Sequence, residues 1–278
     1  MIEIRQMTIN DLRLGLGLSR QAGWNQTESD WLRFMNMEPE GCFAAELDGH
    51  PAGTTTTCIF ENVAWIAMVL VDKESRGHGV GKKLLKHALD YLDARKVKTV
   101  RLDATAAGRP IYEKLGFVPE YELVRFEGKT RPGKTAPVLT EAVPELFADM
   151  IDFDRRMTGT NRAKMLSLLF EEFPQNTRIL PLHDKIDGFV TMRPGANAVQ
   201  IGPCTANINA GPALLSDALD RCAGKAVFVD MPTGNIHAVK IAESRGLQIQ
   251  RRFTRMCRGE RINDDIKAIW AGSGPEKG

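Results

Sequence analysis

The chain has 278 residues, a formal net charge of +2 at neutral pH and 43% apolar residues. A chain of this length and apolar content can bury two cores, so two domains are expected. The near balance of 37 basic and 35 acidic side chains predicts no binding to nucleic acid. No apolar run is long enough to span a bilayer as a helix, and we expect a cytoplasmic protein without membrane contacts.

The five cysteines and five histidines occur at no spacing that is typical of a metal site. An odd number of cysteines without a C-x-x-C pattern is typical of a protein from a reducing compartment, where cysteines serve as small apolar side chains. The sequence therefore predicts neither a disulfide framework nor a metal site.

Hydrophobic patterning predicts the order β-α-α-β-β-β in the first 71 residues. The expected elements are a strand at 2–7, helices at 10–22 and 27–37, and strands at 43–47, 52–60 and 63–71. Apolar side chains then recur at helical spacing from Val80 to Leu92, which predicts a long amphipathic helix. A strand at 100–104, a short helix at 110–116 and a strand ending near residue 126 complete this part of the chain.

The turn between the strand at 63–71 and the long helix carries glycines at positions 77, 79 and 81. The first N–H groups of a helix have no partner inside the helix, and the helix dipole adds positive potential there. Glycines allow such a backbone to approach a phosphate closely, so this turn predicts an anion site. Arg76 and Lys82 add positive charge beside it.

Three phosphate-binding patterns compete for this turn. A P-loop requires Ser or Thr after Lys82, but residue 83 is lysine, and a dinucleotide fingerprint requires its third glycine one position later than Gly81. The pattern R-x-x-G-x-G is complete in Arg76, Gly79 and Gly81, and it resembles the acyl-CoA pyrophosphate loop of the GNAT superfamily of N-acetyltransferases. Taken alone, the turn is also open to a fourth interpretation, a tight strand-to-helix connection with incidental glycines.

A second motif, Tyr-Glu-Lys-Leu-Gly-Phe at 112–117, follows the next predicted strand. It lies on a short helix that Pro110 can begin and Gly116 can end. The motif resembles the GNAT segment that closes over the pantetheine arm of the cofactor. Residues 1–128 therefore resemble a GNAT acetyltransferase domain, and the element order predicted from patterning is the GNAT order.

The second half repeats the predicted element order of the first half. We expect helices at 141–152, 160–173, 211–223 and 235–245 and strands at 138–139, 177–182, 187–193, 198–202, 226–230 and 248–257. The expected fold class is α/β (an α+β mixed sheet), with two tandem GNAT-like acyl-CoA N-acyltransferase domains. These are a GNAT acetyltransferase domain at 1–128 and a degenerate GNAT-like domain at 138–278, joined by a linker at 129–137.

The second half lacks both motifs of the first. No R-x-x-G-x-G pattern occurs there, and Ala242 stands where the first half has Tyr112. We therefore do not expect it to bind acyl-CoA in the same way. Near its end, residues 262–270 are expected to form a short docking helix, and the tail after Ala271 is expected to be mobile.

The resemblance to the GNAT superfamily implies acetyl-CoA as the co-substrate. Pantetheine would pair with the splayed end of the strand at 63–71, and the pyrophosphate would bind the backbone of the glycine turn. The cofactor-binding residues implied are Met68, Val69, Val71, Arg76, Gly77, His78, Gly79, Val80, Gly81, Lys82 and Thr105. His78 is expected to face solvent from this turn. Thr105 stands where the family often has asparagine, and Gly108 where it often has alanine.

Tyr112 is the predicted general acid, because a phenol with a reference pKa of about 10 stays protonated at neutral pH and can donate to the leaving thiolate. A half-buried aromatic side chain with a satisfied hydroxyl is the structural alternative. No general base stands out. Asp103 is the best-placed carboxylate, with capping of the next turn as its alternative role, and Glu28 and Asp30 are weaker candidates.

The sequence thus predicts an acetyl-CoA-dependent N-acyltransferase that acetylates a primary amine by direct transfer. The alternative is a non-catalytic acyl-CoA-binding sensor or regulatory protein, which the departures at Thr105 and Gly108 leave open. The expected partner is a small-molecule or peptide amine, whose identity the sequence does not give. The oligomeric state, including a homodimer, is also left open.

Overall fold

The computed structural model describes residues 1–133, 139–182 and 185–277. In the first half the elements follow one another in the predicted order. They are β1 (Ile2–Gln6), α1 (Leu12–Gln21), α2 (Glu28–Met37), β2 (Cys42–Leu47), β3 (His50–Phe60), β4 (Val63–Val71), α3 (Val80–Ala94), β5 (Thr99–Ala104), α4 (Arg109–Glu113) and β6 (Val118–Lys129).

The second half repeats this order from β7, which corresponds to β1, to β12, and then adds the strand β13. Its elements are β7 (Thr140–Glu141), α5 (Phe147–Thr158), α6 (Ala163–Glu172), β8 (Arg178–Leu182), β9 (Lys185–Arg193), β10 (Val199–Ala206), α7 (Gly211–Arg221), β11 (Ala226–Pro232), α8 (Ile236–Ser244), β12 (Gln248–Gly259) and β13 (Ile269–Ala271). The helix predicted at 141–152 begins only at Phe147, because Glu141 pairs with β8 and Pro144 opens a short 3-10 turn. Val138, predicted as a strand residue, and residues 134–137 of the predicted linker lie outside the described residues.

Within the described residues, thirteen strands form one sheet in the order β1-β2-β3-β4-β5-β12-β6-β11-β10-β9-β8-β7, with β13 paired to β10. The two halves exchange their last strands. β12 of the second half lies between β5 and β6, and β6 of the first half lies between β12 and β11. A sheet edge with unpaired N–H and C=O groups invites such pairing, so each half completes the sheet of the other.

Helices cover both faces of the first-half sheet. The apolar stripe of α3, from Val80 to Leu92, packs against one face with Ile66 and Leu102. Trp31 of α2 belongs to a second cluster on the opposite face. That cluster also contains Phe153 of α5 and side chains of α6, so the two halves share an apolar core as well as a sheet.

The C-terminal segment departs from the prediction in two ways. Residues 262–270 form no helix, and their last two residues belong to β13. From Gly272 to Lys277 the tail is packed rather than mobile, because Glu276 accepts a hydrogen bond from Arg193 (Nη2–Oε1 2.8 Å) and Lys277 is fully buried over the ring of Phe34. Both predictions are wrong because the partners of this segment are far away in the sequence: β13 pairs with β10, and the tail contacts β9 and α2.

None of the helices in residues 1–133, 139–182 and 185–277 combines the length and apolar character needed to cross a membrane. In the same ranges, no group of three or more His, Cys, Asp and Glu side chains is placed to hold a metal ion. The five cysteines are free and buried, where they pack as small apolar side chains.

Candidate active site

A cleft opens in the first-half sheet where β4 and β5 diverge. These parallel strands pair only from Val63 to Trp65, and the register between β3 and β4 shifts further along. Met68 has a φ of 52° at this bulge, a conformation that is uncommon for a residue other than glycine. Among the described residues, β4 beyond Trp65 has no partner strand on its β5 side, so its backbone can pair with an extended ligand.

The glycine turn lies at the mouth of this cleft. Gly77 and Gly79 have φ values of 83° and 84°, and α3 begins directly after Gly79. Nothing lies within 4 Å of the position that a Cβ would take on either residue, so this backbone faces open space. A Cβ on Gly81 would lie 3.3 Å from Val71 Cγ2, and glycine therefore lets α3 approach β4. The first turn of α3 has the free N–H groups that the predicted anion site requires.

Two of the three predicted charged or titratable side chains of the turn border the cleft. Arg76 and Lys82 are exposed side chains that line it, and Arg76 Nε donates to the carbonyl of Val71 at 3.3 Å. His78, although predicted among the cofactor residues, is exposed and does not belong to the lining, and its side chain faces solvent as predicted. The positive charge at the predicted anion site would therefore come from the arginine, the lysine and the helix terminus.

A cavity of about 650 Å³ connects the glycine turn, the unpaired end of β4 and α4. Its volume lies in the range of small-molecule sites. Ten of the eleven predicted cofactor residues line it, namely Met68, Val69, Val71, Arg76, Gly77, Gly79, Val80, Gly81, Lys82 and Thr105. The structure thus gathers these residues around one cavity, as expected for a single elongated ligand.

Tyr112 stands on α4 and also lines the cavity. Its ring packs edge-on against Phe117 at 6.0 Å, and burial raises the pKa of its hydroxyl to about 12. No hydrogen bond from another described residue reaches this hydroxyl, which is therefore available to a ligand. A Cβ on Gly108 would lie 2.9 Å from Tyr112 Cε2, so the departure at Gly108 makes room for the ring. Thr105 accepts from the Gly108 N–H at 3.3 Å and helps to shape the same turn.

Asp103 lines the cavity, but both of its carboxylate oxygens are engaged. They accept from Arg255 Nε and Nη2, each at 2.9 Å, and the Asp103 side chain is only 2% exposed. Arg255 also donates to the Tyr121 hydroxyl at 2.6 Å and lies over the ring of Trp65. Burial raises the pKa of Asp103, while the Arg255 guanidinium opposes this shift. The pair joins β5 to the exchanged strand β12, and this structural role competes with the predicted role as a base.

The two weaker base candidates lie away from the cavity. Asp30 caps α2 through Thr27 and is buried in ion pairs with Arg33 and Arg193. These cations hold the pKa of Asp30 well below its usual range. Glu28 is exposed on the first turn of α2 and does not belong to the cavity lining.

The far end of the cavity is built by both halves. The loop between α1 and α2 contributes Trp24 and Gln26, whereas Arg125, Arg251, Phe253, Pro275 and Glu276 come from β6, β12 and the tail. None of these residues was predicted, because none belongs to a motif. No local signal marks them, and the strand exchange and the tail bring those of β12 and the C-terminus to the cavity from the other end of the chain.

The second half has a matching divergence that its own chain fills. β10 and β11 pair in parallel only from Val199 to Ile201, and beyond that point β13 pairs with β10 at Cys204 and Thr205. Trp270 of β13 donates its indole N–H to the Ala206 carbonyl at 3.1 Å. The Trp270 ring leaves no room for a side chain at Gly211, the first residue of α7. The position that corresponds to the open cleft of the first half is therefore closed.

Comparison with known families places both halves in one family. The model of the GNAT acetyltransferase family matches residues 9–117, and a second model, also described as a GNAT acetyltransferase domain, matches residues 150–271. The chain is 27% identical over 262 residues to holothin acyltransferase of Pseudoalteromonas sp. (strain SANK 73390). That alignment covers 92% of this chain and 87% of the relative.

Solved structures agree on the fold. A putative acetyltransferase from Pyrococcus horikoshii superposes with a TM-score of 0.84 at 23% identity, covering 100% of this chain and 96% of that one. A tandem GNAT protein from the clavulanic acid biosynthesis pathway superposes with a TM-score of 0.64 at 11% identity, covering 95% of this chain and 100% of that one. These structures show the fold alone. The two family models together cover most of the sequence and show that the chain belongs to the GNAT acyltransferase family, with two GNAT domains in tandem.

Proposed function

We propose that this protein transfers an acetyl group from acetyl-CoA to a primary amine, with the first half as the catalytic domain and Tyr112 as the general acid. The observation that carries the proposal is the single cavity that connects the R-x-x-G-x-G turn, the unpaired end of β4 and Tyr112. Along the sequence, the catalytic domain comprises residues 1–128 and the second GNAT domain residues 138–278. In space, β12 completes the sheet of the catalytic half.

In this proposal the cofactor lies along the cavity. The N–H groups after Gly79 and the charges of Arg76 and Lys82 bind the pyrophosphate. The free backbone of β4 after Met68 pairs with the amides of the pantetheine arm, as an added strand would. The same backbone offers N–H groups that can polarise the thioester carbonyl.

The chemistry then needs a proton for the leaving sulfur. The amine nitrogen forms a bond to the acyl carbon, the carbon–sulfur bond breaks, and the sulfur takes the proton of the Tyr112 hydroxyl. The amine releases one proton to solvent, and the phenol regains one from solvent. A thiol has a reference pKa of about 8.5, below the raised pKa of Tyr112, so the phenol keeps its proton until negative charge develops on the sulfur. It donates a hydrogen bond to that charge, and transfer of the proton to sulfur is completed by reprotonation of the phenolate from solvent.

Calorimetric titration with acetyl-CoA is expected to show one site per chain. The first half presents an open cleft, whereas β13 and Trp270 fill the corresponding place in the second half. Two sites would contradict the closed second cleft, and the absence of binding would overturn the proposed function. Binding without release of CoA over a library of amines would favour the acyl-CoA sensor instead.

Replacing Gly79 by tryptophan is expected to weaken acetyl-CoA binding by roughly 100-fold or more, because the new side chain enters the open space that the phosphates would use. Gly224→Trp is the matched control. Gly224 has a φ of 79° and open space around its Cβ position, but it follows α7 in the second half. Both variants carry the same backbone strain. Equal affinity in both, measured by calorimetry, would place the phosphates elsewhere.

A further inference from the structure

Three polar side chains at the far end of the cavity keep unused bonding capacity. Among the described residues, Arg251 has no hydrogen-bond or ion-pair partner, while Gln26 Oε1 and Glu276 Oε2 are buried atoms without a hydrogen-bond partner. Gln26 is 6% exposed and Glu276 is 4% exposed. Buried polar atoms in proteins are nearly always paired, so the two buried oxygens without a partner indicate a ligand that pairs them. Arg251, which is half-buried, lines the same cavity.

Among the described residues, no ion pair neutralises the positive charge of Arg251. In the sheet it lies opposite Arg125 of β6. The nearby carboxylate of Asp230 is engaged by Arg125 in a two-bond ion pair, in which both distances are 2.8 Å. Burial and the neighbouring Arg125 lower the pKa of Arg251, and Asp230 opposes this shift. A carboxylate on a ligand would supply that counter-ion with two parallel hydrogen bonds.

The position of Arg251 on β12 separates it from the cofactor phosphates. Alternate residues of a strand share one face, so Arg251, Phe253 and Arg255 lie together. Arg255 contacts Trp65, which belongs to the core cluster of α1 and α2. Met256, the neighbour of Arg255, packs into the cluster of α3 on the opposite face. Arg251 therefore lies on the side away from α3 and its glycine turn.

Arg251 favours an acceptor group on the ligand, whereas the two unpaired oxygens favour a donor group. Gln26 Oε1 and Glu276 Oε2 can only accept hydrogen bonds, and an amine is the group that donates several at once. Glu276 is held in place through its other oxygen, which accepts from Arg193 at 2.8 Å and from Lys277 at 3.1 Å. Trp24 and Phe253 line the same end of the cavity with apolar surface.

We infer that the acceptor is an apolar amino acid, whose carboxylate binds Arg251 and whose amine donates to Gln26 and Glu276. This inference rests on the proposed amine acetylation and names its substrate class. The arrangement would hold the amine at one wall of the cavity and the apolar side chain against Trp24 and Phe253.

The test is calorimetric binding of L-leucine and L-phenylalanine, and of their amides, to the full chain saturated with CoA, which cannot react. We expect both amino acids to bind at least tenfold more tightly than their amides. Arg251→Gln is expected to weaken binding of the amino acids by roughly 10- to 100-fold and to leave the amides unchanged. Arg251→Lys is expected to weaken amino-acid binding by an intermediate factor, because lysine keeps the positive charge but lacks the planar guanidinium group that makes two parallel hydrogen bonds.

Arg252→Gln is the matched control, because Arg252 is the exposed neighbour on the other face of β12. Since Arg251 lies beside a like charge, Arg251→Gln is expected to fold with an unchanged or higher melting temperature. Equal binding of acids and amides, or no binding of either, would overturn the inference. Weaker binding of CoA itself in Arg251→Gln would also overturn it.

Turnover with acetyl-CoA separates this inference from the proposed function. Amino acids that bind in an Arg251-dependent way but are not acetylated would support the carboxylate site and contradict amine acetylation. Amines without a carboxylate that are acetylated as fast as the amino acids would support the proposed function and overturn the inference.

Discussion

Replacing Tyr112 by phenylalanine is expected to lower kcat by roughly 100- to 10,000-fold, the usual contribution of a general acid, while acetyl-CoA affinity stays unchanged. The variant removes only the hydroxyl, and the edge-on contact of the ring with Phe117 remains. Steady-state CoA release and calorimetric titration measure the two quantities separately. An unchanged kcat would make Tyr112 a packing residue of α4 rather than an acid.

Tyr91→Phe is the matched control for this experiment. The Tyr91 hydroxyl donates to Glu38 at 2.8 Å, outside the cavity, so its loss is expected to leave kcat unchanged. The pH dependence gives a second check. Because burial raises the pKa of Tyr112 to about 12, the acid stays protonated, and kcat should not fall through Tyr112 between about pH 8 and pH 10. The raised pKa of Tyr112 also makes folding stability depend on pH. The stabilisation is fully present below the pKa that Tyr112 has in the unfolded chain, and it is lost as the pH rises through the pKa of Tyr112 in the folded protein.

The second large effect concerns stability. Asp103→Asn is expected to lower the free energy of unfolding by about 3–5 kcal/mol, because it leaves the guanidinium of Arg255 buried without its counter-ion. The two side chains are only 2% and 3% exposed, so water cannot replace the lost partner. Urea unfolding followed by circular dichroism would measure the change.

Asp93→Asn is the control for the ion pair. Asp93 binds Arg258 on the same strand β12 with the same two-bond geometry, at 2.8 and 2.9 Å, but the pair is partly exposed. Loss of this ion pair should lower the free energy of unfolding by less than about 1 kcal/mol. The double replacement Asp103→Leu with Arg255→Met should recover much of the stability, since an apolar pair carries no desolvation penalty. Equal losses at Asp103 and Asp93 would contradict the structural role of the buried pair.

The same variant tests the predicted base. If Asp103 takes the proton of the amine, Asp103→Asn must lower kcat in protein that is still folded, measured below its melting temperature. If the residue acts only by joining β5 to β12, the loss of activity should follow the loss of folded protein. Measuring both quantities on one preparation separates the two roles.

Local sequence was sufficient to predict the end of the cavity that we propose for the cofactor. The glycines at 77 and 79, the stripe of α3 and the short helix with Tyr112 lie close together along the chain. Their conformations follow from positive φ values, helical periodicity and a helix start at proline, which are properties of neighbouring residues. The sequence therefore predicted which residues line that end and the order of the elements that hold them.

Other expectations failed where distant parts of the chain meet. The tail after Ala271 is predicted to be mobile because chain ends are usually poorly ordered, yet Lys277 is buried beside Asp30 and Phe34. The sequence gives no partner for the Asp103 carboxylate. The exchange of β12 places Arg255 beside it, and Arg255 engages both of its oxygens. Gln26 and Arg251 line the same cavity although they stand near opposite ends of the chain.

The sequence by itself determined the GNAT order of elements, the phosphate turn and the tyrosine, because local backbone preferences and short spacings encode them. Only the tertiary structure decided which half keeps an open cleft and what surrounds the acceptor. In the second half β13 closes the cleft, and in the first half β12 and the tail line the part of the cavity that we propose for the acceptor. Both outcomes depend on strand pairing between residues far apart in sequence, which hydrogen bonding permits in several registers and only the packed molecule selects.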